Sequence, residues 1–429
     1  GDDSQSIYSF RGAHFKNIMN FPKVYPEAKM FKLEINHRST PEILELANQS
    51  IAQAKEKFNK TLRARRPEGE KPVVVPLTSV YEQASFVAQR MLELREEGLS
   101  LNDIAVLYRS HYQSMELQME LTKRGIPFEV RSGLRFFEEA HIKDVLAYLK
   151  VIHNPRDEIS WQRTLKLLDR IGAKTAGKIF QRINGTTSPL DEIVSEAMVN
   201  LVGKGGERGF KRFQELIKTL REKSGSPAEM IKLVVESDYD DYLKNQYTNY
   251  QERLEDLEQL GGYALQYKDL EELLSALALV SGIESETVTG GEVKEIEACV
   301  LSTVHQAKGL EWKVVFVIWL ADGKFPSYLS FNKEEEMEEE RRLFYVAVTR
   351  AKDELYLTYP IIYSGYDGEV LMKVSRYVED LPAQLYEKWE IEEERAEDEI
   401  DLNGYQQVVI KNRKDDFEAI DISQLDFMK

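Results

Sequence analysis

The stretch KPVVVPLTSVYEQASFVAQRMLELREEGLSLNDIAVLYRS, residues 71–110, indicates the fold class of this 429-residue chain. Its two ends, KPVVVPL and DIAVLYRS, are apolar runs rich in β-branched residues, and the segment between them has apolar residues at helical spacing. Strand, helix and strand in this order are typical of a parallel sheet. Further strands are predicted by ACVLSTV at 298–304, VVFVIWL at 314–320 and ELYLTYP at 354–360.

The chain between these two groups of strands has a helical pattern. From about residue 138 to 285, apolar residues recur every three or four positions, and Gly, Pro or Asn separate the periodic segments. An α/β pattern that stops, admits a helical block and then resumes indicates an inserted domain. We therefore predict an α/β protein in which a parallel-sheet lobe is interrupted by a mostly helical insertion domain.

The composition argues against several classes of protein. The sequence contains no run of about 18 apolar residues, the minimum for a membrane-spanning helix, and no signal peptide with a basic start and an apolar middle. Its single cysteine, Cys299, cannot form an internal disulfide or a cysteine-based metal cluster. We therefore expect a cytoplasmic protein with no membrane partner and no metal ligands in this chain.

The net charge of −17 argues at first sight against a nucleic-acid partner, because Lys and Arg drive phosphate binding. The charge is, however, unevenly distributed. Residues 1–66 contain twelve Lys and Arg against seven Asp and Glu, whereas acid is concentrated in EEEMEEE at 334–340 and EIEEERAEDE at 390–399. This distribution is therefore compatible with a basic groove on an acidic protein.

Five polar stretches lie at the ends of predicted strands or on helices beside them, where open parallel sheets bind ligands. They are GDDSQSIYSFRGA at 1–13, LEINHRST at 33–40, AVLYRSHYQS at 105–114, LSTVHQAKGLEW at 301–312 and EEERRLFYVAVTRA at 338–351. In this order they resemble motifs III, IV, IVa, V and VI of superfamily 1 DNA helicases of the UvrD/Rep/PcrA type. The resemblance extends from residue 1 to about residue 360.

The resemblance implies a division of the chain into five parts. Residues 1–28 would end a first RecA-like lobe and carry motif III, 29–130 would be the first half of the RecA-like lobe 2A, 131–290 the helical insertion domain 2B, 291–380 the second half of 2A, and 381–429 an acidic, partly ordered tail.

The resemblance also implies that the chain acts on ATP with Mg²⁺. Splitting a phosphoanhydride requires positive charge at the γ-phosphate, and by resemblance Arg38 and Arg350 are the arginine fingers that supply it. Gln5 would link the γ-phosphate to the DNA site, and Glu311 would accept a hydrogen bond from the ribose. His37 stands where the family usually has a tyrosine that stacks on adenine.

A motor that ignores sequence should hold single-stranded DNA by base stacking and backbone contacts. By resemblance Tyr8 and Phe10 stack on bases, although Phe10 stands where the family usually has tryptophan. The other residues at positions that contact the strand are Arg11, Arg109, Thr303, His305 and Lys308.

The stretch IGAKTAGKI, 171–179, has the G-x4-G-K spacing of a phosphate-binding loop. We reject that interpretation because Ile179 stands where Ser or Thr should hold magnesium, and because a predicted helix precedes the stretch where a strand is required. A helix–hairpin–helix-like turn, with backbone amides near Gly172, Lys174 and Thr175 on a phosphate of duplex DNA, is the better interpretation. A simple tight turn between two helices remains the alternative.

The function implied is part of an ATP-dependent 3′–5′ DNA helicase that binds single strands and single/double-strand junctions. The sequence has no acceptable Walker A or DExx motif, so we expect a partner lobe on the N-terminal side to supply both, together with the magnesium ligands, and this chain to be inactive alone. DNA repair or replication proteins are further expected partners. The alternatives are the helicase portion of a RecB/AddA-like helicase–nuclease and a non-catalytic DNA-binding regulatory protein.

Overall fold

The computed structural model describes residues 2–8, 15–131, 136–282, 297–365, 368–392 and 409–411. The strands in this part of the chain are β1 (Ile35–Asn36), β2 (Arg63–Ala64), β3 (Val73–Leu77), β4 (Ile104–Tyr108), β5 (Phe128–Val130), β6 (Cys299–Thr303), β7 (Trp312–Val317), β8 (Ala351–Pro360), β9 (Ile362–Gly365), β10 (Gly368–Leu371), β11 (Glu387–Lys388), β12 (Glu390–Glu392) and β13 (Val409–Lys411).

The helices of the described residues complete the element order. They are α1 (Phe15–Val24), α2 (Pro41–Ala52), α3 (Val80–Glu96), α4 (Met115–Lys123), α5 (Ala140–His153), α6 (Glu158–Lys166), α7 (Ala173–Asn184), α8 (Pro189–Ile193), α9 (Glu196–Val199), α10 (Glu207–Glu222), α11 (Pro227–Val235), α12 (Asp238–Gln246), α13 (Tyr250–Ala264), α14 (Leu270–Gly282), α15 (Val304–Ala307), α16 (Glu334–Val348) and α17 (Arg376–Glu379). None of them has the length and apolarity needed to cross a bilayer.

A parallel sheet organises the lobe. Within the described residues seven strands form it in the order β11-β3-β8-β7-β4-β6-β5, and every neighbouring pair is parallel. Strand β4 is buried along its whole length. Its residues alternate between the two faces, since Ala105 and Leu107 pack with α2, α15 and α16 while Val106 packs with α3 and α4. Helices on both faces are what a parallel sheet requires.

The helical insertion lies between two neighbouring strands of this sheet. Strands β5 and β6 pair at Phe128 and Cys299, and helices α5 to α14 connect them along the chain. These helices, called here the helical body (residues 140–282), have a core of their own in which Trp161 and Phe210 are fully buried. The predicted fold class, a parallel-sheet lobe interrupted by a mostly helical insertion domain, is therefore confirmed.

One outer strand of the sheet comes from the C-terminal stretch of the chain. Strand β11 pairs with β3 and comes from 381–429, the stretch whose composition predicts a partly ordered acidic tail. Trp389 follows β11, and its ring centroid lies 5.7 Å from that of Tyr356 on β8. Apolar side chains at the start of this stretch thus join the lobe, although acidic residues dominate the remainder of the stretch. The predicted domain boundary at residue 290 lies in 283–296, outside the described residues.

Candidate nucleotide and DNA sites

The predicted site residues of the lobe lie at two opposite edges of the sheet. Glu311 and Arg350 directly precede β7 and β8, so they lie at the amino ends of parallel strands. Thr303 ends β6 and Arg109 directly follows β4, so these two lie at the carboxyl ends. Strand-end reasoning alone would have placed all of them at the carboxyl edge, where open sheets usually bind ligands.

Two arginines from distant parts of the chain meet at the amino edge. Arg38 Nη1 donates to the Thr349 carbonyl oxygen at 2.9 Å, and Arg350 Nη2 donates to the Thr349 hydroxyl at 3.0 Å. Arg38 Nε also donates to Glu311 Oε2 at 2.5 Å. We call Arg38, Glu311, Thr349 and Arg350 the arginine cluster.

Arg350 is the most buried member of the arginine cluster, with 1% of its surface exposed. Its Nε and Nη1 donate to the carbonyl oxygens of Val346 and Leu310, each at 3.0 Å. It forms no ion pair with any described residue. Burial, and then the positive charge of Arg38, lower the pKa of Arg350 to about 10. Two guanidinium groups held this close are chemically suited to an anion that bears several charges.

Glu311 balances part of this charge. Its Oε1 lies 3.0 Å from Lys352 Nζ, and its Oε2 accepts from Arg38. The hydrogen bond from Lys352, supported by Arg38, holds the pKa of the Glu311 carboxyl below its usual range despite partial burial. Counting side-chain charges, the cluster and Lys352 carry three cations and one carboxylate, so the amino edge is electropositive.

The turn that carries Arg38 is fixed by its neighbours. Asn36 Oδ1 accepts from the backbone amides of Arg38 and Ser39 at 2.7 and 3.0 Å. The Ser39 hydroxyl donates to the carbonyl oxygen of Ala351, the first residue of β8, at 2.6 Å. His37, the predicted adenine-stacking residue, is exposed beside this turn. The polar residues of LEINHRST therefore bind the turn to the strand that follows Arg350.

The described part of the first predicted motif, residues 2–8, lies along α16. Gln5 Nε2 donates to Asp2 Oδ2 at 2.9 Å, Ser6 O accepts from Arg342 Nε at 2.9 Å, and the Tyr8 hydroxyl donates to His305 O at 2.7 Å. The charges of Asp2 and of Arg350 both influence the pKa of Tyr345, so the start of this segment is near the arginine cluster. Along the chain Gln5 thus lies between Asp2, which is near the arginine cluster, and Tyr8. Phe10 and Arg11 lie outside the described residues.

Three predicted DNA contacts come together at the carboxyl edge. Lys308 Nζ is 5.0 Å from the centre of the Tyr8 ring, and the rings of Tyr8 and His305 are 6.2 Å apart. We call Tyr8, His305 and Lys308 the aromatic–cationic cluster. A ring beside a cation is suited to a stacked base and its phosphate.

Thr303 and Arg109 are held by other residues of the protein. The Thr303 hydroxyl accepts from the Gln306 amide at 3.4 Å and so caps α15, and the side chain is buried. Capping alone explains a threonine at this position. Arg109 Nε donates to Glu340 Oε1 at 2.7 Å, and 22% of the arginine side chain is exposed.

The glycine turn of the helical body connects two helices. Gly172 is the N-cap of α7, and the helix α6 precedes it where a phosphate-binding loop would follow a strand. Lys178 lies inside α7. Lys174 is exposed and Thr175 is half-buried at the first turn of α7. This turn is far from the arginine cluster along the chain and belongs to a separate core.

Some residues that complete these sites were not among the predicted ones. Thr349 joins both arginines, and Lys352 pairs with Glu311. A sequence signal exists for both, because each lies within two residues of Arg350 along the chain. Lys60, which lies 3.0 Å from Asp3 and also pairs with Asp2, had no such signal. The described residues contain no group of three or more His, Cys, Asp or Glu suited to hold a metal ion.

The fold defines the class of this protein as an α/β lobe with a helical insertion. Residues 31–360 match the family described as UvrD-like helicase C-terminal domain. Since this match covers most of the chain, the chain belongs to that family. The predicted resemblance to helicases of the UvrD/Rep/PcrA type is thereby confirmed.

Named relatives agree with this family. The ATP-dependent DNA helicase PcrA of Bacillus subtilis (strain 168) is 34% identical over 407 residues, which cover 90% of this chain and 54% of the relative. DNA helicase II of Escherichia coli (strain K12) is 34% identical over 402 residues, which cover 90% of this chain and 55% of the relative. The chain thus spans about half the length of the curated relatives it matches.

A solved structure also aligns with the chain. It is the C-terminal domain of a possible DNA helicase from Lactobacillus plantarum WCFS1, with 11% identity and a TM-score of 0.32 over 82% of this chain and 98% of that one.

Proposed function

We propose that this chain is the second motor lobe of an ATP-dependent DNA helicase that moves 3′ to 5′ along a single strand and unwinds duplex DNA. The observation that carries the proposal is the arginine cluster, in which Arg38 and Arg350 are bridged by Thr349 at the amino edge of the sheet. Membership of a helicase family and relatives named as ATP-dependent DNA helicases support it.

The arginine cluster would bind the phosphates of ATP. Arg38 and Arg350 would contact the γ-phosphate as it separates, because guanidinium groups stabilise the charge that develops on its oxygens. Arg38 is paired with Glu311 in the structure. A competing polyanion would free Glu311 to accept a hydrogen bond from the ribose. His37 would lie beside the adenine.

Magnesium would neutralise charge on the phosphates when bound, and the described residues contain no group of three or more His, Cys, Asp or Glu that could hold it. No magnesium-dependent step is therefore assigned to this lobe. We propose that a first lobe supplies the phosphate-binding lysine, the magnesium ligands and the catalytic base, and that ATP draws the two lobes together across the arginine cluster.

The aromatic–cationic cluster would hold the DNA strand. Tyr8 would stack on a base while Lys308 and Arg109 contact phosphates, a combination that ignores base sequence. Gln5 lies on the segment that joins Tyr8 to the amino edge. Residues 2–8 would therefore transmit the conformational effect of ATP hydrolysis to the DNA contacts. The turn at Gly172, Lys174 and Thr175 would contact a phosphate of the duplex ahead of the strand.

An unwinding assay on the full-length protein that contains this chain tests the proposal. Duplexes with a 3′ or a 5′ single-stranded tail would be mixed with protein and ATP. We expect ATP-dependent unwinding of the 3′-tailed duplex, and we expect Arg38→Ala to abolish it. The exposed Arg65→Ala serves as the matched control. ATP turnover unaffected by DNA, or unwinding unchanged in Arg38→Ala, would refute the proposed role.

A further inference from the structure

Glu340 is a buried carboxylate at the end of an acidic run. The other six residues of EEEMEEE, 334–339, are exposed or half-buried, whereas Glu340 is 2% exposed. A buried carboxylate is costly unless its oxygens accept hydrogen bonds. Glu340 therefore differs in burial from its neighbours, whose ion pairs, such as Glu334 with Lys55 and Glu336 with Lys333, lie at the surface.

Both oxygens of Glu340 are engaged. Oε1 accepts from Arg109 Nε at 2.7 Å, and Oε2 accepts from the Ser327 amide at 3.3 Å. The Ser327 contact fixes the carboxylate, and the carboxylate fixes the guanidinium. Among the described residues, Nη1 and Nη2 of Arg109 make no hydrogen bond, so the outer edge of the fork is available to a ligand.

The ion pair between Arg109 and Glu340 lies near the aromatic–cationic cluster. Arg109 follows Tyr108, which is opposite Thr303 in the pairing of β4 with β6. His305 and Lys308 follow Thr303 along the chain. The guanidinium is therefore held at the carboxyl edge, beside the strand from which the aromatic–cationic cluster extends.

We propose that Glu340 is a positioning residue, which orients Arg109 so that its two outer nitrogens bind a phosphate of single-stranded DNA. The inference rests on the proposed function for its ligand. A carboxylate bound at Nε leaves the paired outer donors of arginine in the geometry that suits phosphate oxygens. Glu340 does not contact the DNA and acts only through Arg109.

The alternative is that Glu340 only neutralises a half-buried arginine. The two roles differ in the sign of the effect on DNA binding. If Glu340 is a simple negative charge near the DNA path, its removal should strengthen DNA binding, because repulsion of phosphates is lost. If it positions Arg109, its removal should weaken DNA binding.

The experiment measures oligo(dT) binding by fluorescence anisotropy across a salt series, using the full-length protein and its Glu340→Gln, Arg109→Ala and double variants. Gln is nearly isosteric with Glu, and thermal melting establishes that each variant is folded. Glu336→Gln, on the exposed face of the same helix, is the matched control.

We expect Arg109→Ala to weaken binding about tenfold and to lower the salt slope by about 0.7, the value for one lost phosphate contact on a single strand. Glu340→Gln should likewise weaken oligo(dT) binding and lower the salt slope. The double variant should be no weaker than Arg109→Ala, because the two residues act as one unit. Glu336→Gln should bind as wild type does.

Tighter or unchanged binding by Glu340→Gln would overturn the inference, and so would effects of the two single variants that add. These results are separate from the test of motor function. A full-length protein that binds oligo(dT) but unwinds no duplex would refute the proposed helicase activity, while the binding series would still decide the role of Glu340.

Discussion

At the scale of single residues, the arginine cluster is the most specific feature of the molecule. A guanidinium as buried as that of Arg350 is destabilising unless its donors are satisfied, and Val346, Leu310 and Thr349 supply acceptors for it. These acceptors are neutral, so they satisfy the hydrogen bonds of Arg350 but do not compensate its positive charge. The unbalanced charge is what an incoming polyphosphate would neutralise.

A residue-scale prediction concerns Tyr8. If its ring stacks on a base, Tyr8→Ala should weaken single-strand binding by about 5- to 150-fold, the range for loss of one stacking platform. Tyr8→Phe keeps the ring and should bind within about threefold of wild type, although loss of the hydrogen bond to His305 O should cost about 1 kcal/mol of stability. Anisotropy and thermal melting on the same samples separate the two effects. Equal binding by Tyr8→Ala and wild type would show that no base stacks there.

Sequence reasoning was strong for some of these residues and weak for others. Arg38 and Arg350 stand in motif-like stretches, and their proximity follows once the stretches flank one sheet. The burial of Glu340 could have been inferred from its spacing to Leu343 and Phe344, which face the core. Contacts such as Lys60 with Asp3 depend on tertiary packing between segments more than fifty residues apart, and no local pattern encodes them.

At the scale of elements, the sheet was predictable because buried strands need apolar residues on both faces, and KPVVVPL and VVFVIWL have them. The short strand β11 was not, because a two-residue edge strand in an acidic stretch has no periodic signal. The sequence also did not predict that the candidate site residues would lie at two opposite edges of the sheet. Whether a polar stretch precedes or follows its strand decides the edge at which it lies, and Glu311 and Arg350 both precede theirs.

The contact between α4 and α13 gives an element-scale prediction with a pH dependence. Glu116 on α4 accepts a hydrogen bond from Gln259 on α13, and its second oxygen has no partner in the described residues. Burial raises the pKa of Glu116 to about 7, although Lys324 nearby opposes the shift. A carboxyl whose pKa is raised on folding stabilises the protein below its unfolded pKa, and that contribution is lost as pH rises through 7.

Replacing the Glu116 carboxyl should remove its contribution to the pH dependence of the unfolding free energy. Relative to wild type, Glu116→Gln should gain on the order of 2 kcal/mol in unfolding free energy between pH 5 and pH 8. Urea unfolding at both pH values measures the difference, with the exposed Glu96→Gln as control. A difference between Glu116→Gln and wild type that is the same at pH 5 and pH 8 would contradict the assignment of a raised pKa to Glu116.

At the scale of the whole molecule, the arginine cluster and the aromatic–cationic cluster lie at opposite edges of one sheet. Residues 2–8 and α16 run between the edges, with Arg342 joining them at Ser6 O. Under the proposed function, this segment would connect a nucleotide bound at one edge to a DNA strand bound at the other. It contains no acceptable Walker A loop or DExx pair, so the proposed chemistry needs a second lobe.

The isolated chain should accordingly be inactive as an ATPase. We expect purified 1–429 to show no ATP turnover above background, with or without oligo(dT), because positive charge at the γ-phosphate cannot replace the magnesium site and the base. A coupled assay of phosphate release makes the measurement, with the full-length protein as positive control. Turnover that is stimulated by DNA and persists through purification would contradict the expectation.

The measurement that tests the central proposal most directly is DNA-stimulated ATP turnover in the full-length protein carrying Arg350→Lys, compared with Arg350→Ala and wild type. Lysine keeps the positive charge but loses the planar fork that bridges phosphate oxygens. If Arg350 contacts the γ-phosphate, both variants should lose turnover by on the order of 10³ while DNA binding without nucleotide stays close to that of wild type. Near-normal turnover in Arg350→Lys would contradict that role and the assignment of the amino edge as the nucleotide site.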